Sequence, residues 1–134
     1  MPQIEHINPR GLSEAHGYTH VVTASGGKTI YISGQGAFDD KNQLIGAGDH
    51  FAQTRQAYRN LRIALQAAGA TPAQIVKSTI YVVGLTGAAL DAFVRAMNEG
   101  LDGQPMPPTA ATLVGVERLA FDAMLVEIDA IAVV

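Results

Sequence analysis

Along the 134-residue chain the spacing of apolar positions changes from two to 3.6 and back to two, the signature of strands interleaved with helices. Residues 20–25 and 28–33 alternate at strand spacing on either side of Gly26-Gly27. Two glycines supply the positive φ angles of a tight turn, so this pattern predicts a β-hairpin. Residues 39–43 read as a polar turn. Ala57, Leu61, Ala64, Leu65 and Ala68 then recur as a helical stripe between Asp49, which can cap a helix, and Gly69, which can end one. Thr71-Pro-Ala-Gln74 has the spacing of a capping box with proline at the first helical position, and a strand over 76–83 follows. A second helix is predicted from about Thr86 to Glu99, with Leu90, Phe93, Val94 and Met97 on the face that should pack on the sheet. Three prolines between 104 and 108 exclude helix and central strand and require an extended loop. Strands over 109–116 and 124–133 complete the pattern.

The order ββαβαββ is an α+β, mixed-sheet arrangement with both helices on one face. In the last strand Met124, Val126, Ile128, Ala130 and Ala132 form one side, and Leu125, Glu127, Asp129, Ile131 and Val133 the other. Both sides are largely apolar, yet the helices cover only one. The chain is therefore expected to bury the second face against copies of itself, with sites formed between subunits.

Composition narrows the picture. With 48% hydrophobic and 16% charged residues the chain suits a single domain, 1–134, with a well-buried core. It has no cysteine, which excludes disulfides, a thiolate nucleophile and a cysteine metal site. No signal-peptide pattern and no apolar run near the ~20 residues of a spanning helix is visible, so a soluble cytoplasmic protein with no membrane partner is expected. The net charge of −3, with nine scattered Lys and Arg, disfavours nucleic acid as a partner. Arg55, Arg59 and Arg62 share helical spacing opposite the apolar stripe, as on a solvated helix face. No phosphate-binding glycine loop is present, and no cofactor is implied. Glu14, His16 and His20 contain a His-x-x-x-His spacing, but Gly17 interrupts any helix, and in a strand four residues separate side chains by about 13 Å. A metal site is not expected; His6 and His50 read as surface residues.

The candidate chemistry centres on Glu127, a carboxylate in an otherwise apolar strand. Burial penalises the charged form of such a group and suits it to general acid or base work; the competing account is a structural carboxylate at a subunit seam. Ser33 has no adjacent His or Lys to activate it and reads as a turn or cleft hydrogen-bonding group. Tyr18 can equally be a packing residue.

Tyr18, Gly26-Gly27, Ser33-Gly-Gln35, Gln53-Thr-Arg-Gln-Ala57, Asn60-Leu61, Gly69, Val76-Lys-Ser-Thr79, Val114-Gly-Val116 and Val126-Glu-Ile-Asp-Ala130, in this order and spacing, resemble the Rid proteins, reactive intermediate deaminases also called the YjgF family. The resemblance spans nearly the whole chain. It implies a chorismate-mutase-like fold, a barrel-shaped homotrimer with three intersubunit clefts that take a small-molecule metabolite, and hydrolysis of reactive imines and enamines to ketoacids and ammonia. It also implies a site in which Glu127 is catalytic and Tyr18, Ser33, Gly34, Ala111 and Thr112 contact substrate.

At one position the chain departs from the family pattern. Where deaminating members carry an arginine that holds the substrate carboxylate in a bidentate pair, this chain has Ala111. Losing a desolvated carboxylate partner typically costs several kcal/mol, and family members without this arginine lack the usual deaminase activity. Arg118, Arg10 or a neighbouring chain would supply the replacement charge. The family's asparagine in the second helix has no clear match, Asp91 and Ala92 being nearest. Three readings follow: an imine or enamine hydrolase of altered specificity, in which Glu127 directs a water onto the imine carbon; a non-catalytic binding trimer; and, against the acidic balance, an endoribonuclease or translation inhibitor.

Overall fold

The computed structural model describes residues 2–134. Its strands are β1 (Gln3–Ile7), β2 (Val21–Ser25), β3 (Thr29–Gln35), β4 (Ile75–Val83), β5 (Ala110–Val116) and β6 (Val126–Val133); its helices are α1 (His50–Ala67) and α2 (Gly87–Leu101), with a 3-10 turn at Pro72–Gln74. A mixed four-stranded sheet runs in the order β3-β6-β4-β5, and β1 and β2 form a separate antiparallel pair. This is the expected α+β class with one strand more than the pattern indicated. Only β4 and β5 are parallel, as the intervening α2 crossover requires.

Local chemistry sets the helix ends. Asp49 accepts a hydrogen bond from the Ala52 amide at 3.1 Å and so caps α1. Past its end Gly69 has φ +79°, the left-handed conformation glycine takes without cost. Thr71 and Gln74 form the reciprocal capping box, with Pro72 in the first turn.

The predicted hairpin is corrected. Gly26 and Gly27 do turn the chain with φ +73° and +67°, but β2 pairs with β1, from Gln3↔Ser25 to Ile7↔Val21, while β3 pairs with β6. Lys28 and Val134 exchange two backbone hydrogen bonds, which commits the start of β3 to the chain's end. A Cβ at Gly27 would collide with the Val134 carbonyl, so the glycine also permits this close approach. The two glycines pass the chain from one sheet to the other.

The placement of the second helix is corrected as well. α2 packs chiefly on α1, not flat on the sheet, because Gly100 lets the two backbones meet: a Cβ there would fall 2.8 Å from the Tyr58 Cβ and 3.2 Å from the Arg55 carbonyl carbon. Arg55 pairs with Glu99 at 3.5 Å, and the Arg62 Nε donates to the Gly100 carbonyl at 3.3 Å. Two of the three arginines expected on a solvated face thus tie the helices together. α1 itself lies on β3 and β6, burying Ala57, Leu61 and Leu65 against Ile128, Ala130 and Ala132. None of the described helices is long and apolar enough to cross a membrane.

Candidate functional site

Strand register decides which predicted residues meet. Ile80 lies opposite Ile128 on β6 and Leu113 on β5, and Ser78 lies opposite Ala111. These residues face the helices. Tyr81 lies opposite Glu127, and Thr79 opposite both Asp129 and Thr112. These face away, on the uncovered side. Because side chains alternate, Ala111 and Glu127 project from opposite faces of one sheet.

On the helix side, α2 stands off from β4 and β5 and leaves a cleft of about 340 Å³. Leu90, Phe93, Val94 and Met97, the stripe expected to bury against the sheet, form one wall; Ile80, Ala111 and Leu113 form the other; Tyr58 and Ser78 also line it. Leu90 and Val94 are accordingly 45% and 53% exposed. Tyr18 and His16 stand at one end with residues 106–109. Tyr18 is held edge-on to His20, with ring centroids 5.2 Å apart, and His20 in turn meets the Ser13 carbonyl through Nε2 at 2.7 Å. No Lys or Arg lines this cleft. Arg118 does not reach Ala111; it pairs with Asp122 at 2.9 Å and donates to the Leu119 and Ala120 carbonyls. Arg10 does not line the cleft either.

On the other face, β3 carries a bulge. Ile32 pairs with Ala130 and Gln35 with Ile128, so Ser33 and Gly34 together stand opposite Asp129 alone. The bulge brings the Gly34 backbone against Glu127: a Cβ on Gly34 would lie 2.9 Å from the Glu127 Cγ and 2.6 Å from its carboxyl carbon. Glu127 is half-buried there. Asp129 is half-buried too; its carboxylate accepts from the Thr79 amide at 3.2 Å and lies 3.5 Å from the Tyr81 hydroxyl. Thr112 also projects to this side, where its hydroxyl lies 3.4 Å from the Lys77 ammonium.

The predicted residues therefore fall into two groups within one chain. Tyr18 and Ala111 line the cleft; Ser33, Gly34, Thr112 and Glu127 lie on the uncovered face or its bulge. Two residues escaped the sequence reading. Gln53 is fully buried at the start of α1, where its amide nitrogen donates to the Gly46 and Ala123 carbonyls at 3.1 and 3.0 Å and its oxygen accepts from the Leu125 amide at 2.8 Å. This ties the loop before α1 and the entry to β6 to one side chain. Tyr58 is 1% exposed beneath the cleft. Its position three residues before Leu61 and seven before Leu65 places it on the buried stripe, a signal readable in the sequence.

The fold and residues match known proteins. A family model described as Endoribonuclease L-PSP matches residues 10–134. A RutC family protein of Pyrococcus horikoshii is 35% identical over 115 residues, covering 86% of this chain and 85% of that one; a RutC family protein of Pyrococcus abyssi is 34% identical over 79% of each. Among solved structures, the Rid-family protein YyfB of Yersinia pestis, itself of unknown function, superposes with a TM-score of 0.87 at 35% identity, over 98% of both chains. A YjgF/YER057c/UK114 family member from Mycobacterium tuberculosis gives 0.61 at 30% identity, over 98% of this chain and 100% of that one. An α+β chain of this topology, with a bulged third strand laid against a carboxylate, is thus a YjgF-type domain. The chain belongs to the Endoribonuclease L-PSP family, which the YjgF and Rid names also denote.

Proposed function

We propose that the chain acts as a cytoplasmic homotrimer that hydrolyses small imines or enamines lacking a carboxylate, in clefts completed by the neighbouring subunit. The supporting observation is the division of the site. Glu127 and the Ser33–Gly34 bulge lie on the uncovered face, Tyr18 and Ala111 line the cleft, and subunit contacts can unite what one chain keeps apart. An apolar cleft without Lys or Arg disfavours a carboxylate ligand, whose desolvation would go uncompensated.

In this mechanism Glu127 accepts a proton as water adds to the carbon of the C=N bond, giving a carbinolamine. The proton then passes from Glu127 to the nitrogen. Glu127 then relays the carbinolamine's hydroxyl proton to the nitrogen as the C–N bond breaks, so that ammonia leaves and the carbonyl forms. Main-chain groups at Gly34 and Ala111 hold the ligand, and Tyr18 closes the cleft.

The first test is carbonyl and ammonia release from freshly generated 2-iminobutanoate and from an imine of the same chain length without the carboxylate, for wild type and Glu127→Ala. The expected result is weak or no turnover of the carboxylated imine and Glu127-dependent turnover of the other. A second reading, a trimer that binds a small molecule without transforming it, is favoured by the same apolar, uncharged lining. It prevails if neither imine turns over in a folded oligomer.

A further inference from the structure

Four hydroxyl-bearing side chains line the cleft between α2 and β5; Tyr18 is half-buried, and of the three buried ones two already use their protons. Ser78 donates to the Asp129 carbonyl at 3.0 Å and Thr109 to the Ile75 carbonyl at 2.9 Å. The third, Tyr58, has its ring held edge-on to Phe93 at 5.7 Å and its body against Gly100. Its hydroxyl makes no hydrogen bond with any described residue and opens on the cleft. Burial alone keeps this phenol protonated far beyond its ordinary range. It is a donor that opens on the cleft and is spent on no described residue.

Such a donor constrains the occupant. A ligand that fills the cleft without offering an acceptor takes water away from this donor at a cost of about 1–3 kcal/mol, which a ligand acceptor avoids. A carboxylate would satisfy the phenol but would shed its water against a lining with no Lys or Arg, and one neutral donor does not offset that. A cation finds no acid on the lining either. The walls are aromatic and aliphatic, and Met97 and Met106 are flexible enough to follow a ligand's shape. About 340 Å³ is at the small end of ligand sites, which run from about 300 to 1,000 Å³.

We infer that the cleft takes a small, neutral, largely apolar carbonyl or imine compound whose oxygen or nitrogen accepts a hydrogen bond from the Tyr58 hydroxyl. Tyr58 then supplies the polar specificity that the chain does not place at Ala111. This deepens the proposed function by naming the ligand class. It rests on that reading only for the cleft as the binding site, not for hydrolysis.

The test is binding alone, so it stands or falls apart from turnover. Acetophenone, benzoate and ethylbenzene share one shape and differ in presenting a neutral acceptor, a charged acceptor or none. Each is titrated into the oligomer while the amide resonances of Phe93, Met97, Ala111 and Leu113 are followed. Acetophenone is expected to bind at least about tenfold more tightly than either of the others, the scale of one recovered buried hydrogen bond. Tyr58→Phe should remove that advantage over ethylbenzene and leave the ethylbenzene affinity unchanged. Ala111→Arg, which does not depend on Tyr58 tolerating substitution, should reverse the preference toward benzoate. Retained acetophenone preference in Tyr58→Phe, benzoate binding as well as acetophenone to wild type, no reversal in Ala111→Arg, or no response of these amides to any probe would each overturn the inference.

Discussion

At the scale of single residues, the side chains that matter most are polar ones inside apolar surroundings. Gln53 joins three backbone groups from two loops, and removing it takes a side-chain partner from the Gly46 and Ala123 carbonyls and the Leu125 amide, though Gly46 keeps the Asp49 amide. Gln53→Leu keeps the approximate volume and is expected to cost on the order of 3 kcal/mol, from three hydrogen bonds at about 1 kcal/mol each; the urea midpoint measures it. Tyr58 gives a pH signature. Its phenol is raised by burial well above the ordinary 10.0, so the folded chain keeps a proton that the unfolded chain releases. The contribution is complete below about pH 10 and shrinks as the pH rises toward the folded value, by up to about 1.4 kcal/mol per pH unit for one proton. Tyr58→Phe should flatten the alkaline decline in stability by that slope, read from denaturation midpoints between neutral and strongly alkaline pH. Glu127 was legible in the sequence because an acid stands out in an apolar strand. The burial of Tyr58 was readable from its helical stripe, but its place in the cleft was not, because a tyrosine on such a stripe looks like ordinary core.

At the scale of elements, periodicity located both helices and the last five strands, and caps at Asp49 and Thr71 fixed where the helical segments start. Two misreadings have one cause: which surface an element meets is decided by contacts distant in sequence. The β1 segment is five residues with only Ile4 and Ile7 apolar, too weak a pattern to announce a strand, yet it occupies the edge of β2. The stripe on α2 was visible, but Gly100 draws that helix onto α1 and turns the stripe into a cleft wall. Gly100→Ala tests this. Helix propensity alone would favour alanine by about 1 kcal/mol, but the added methyl meets the Arg55 backbone, which cannot move cheaply. Overpacking of about 1–3 kcal/mol should win, giving net destabilisation. Gly87→Ala, also in α2 but with no atom within 4 Å of the added methyl, leaves propensity unopposed and should raise the urea midpoint.

At the scale of the molecule, the unresolved demand is the face that no helix covers. It presents Tyr31, 78% exposed, beside its ladder partner Ile131, with Tyr81 and Glu127 further along. An exposed aromatic beside an aliphatic partner, on a sheet face that no helix covers, is the sort of surface that subunits bury. The division of the site makes the same demand, since Ala111 and Glu127 face opposite ways within one chain. If burial of this face drives assembly, charge placed at its centre should oppose it, because a buried unpaired ammonium costs several kcal/mol. Tyr31→Lys combined with Ile131→Lys is expected to convert a species of three times the 14.1 kDa chain mass to one of 14.1 kDa in light scattering after size exclusion. Tyr31 and Ile131 lie outside the apolar cleft, so a folded monomer bearing these lysines should still bind a neutral probe there but lose any Glu127-dependent turnover. Monomers that keep full turnover would mean that one chain holds a complete site and that the division across the sheet has no bearing on catalysis.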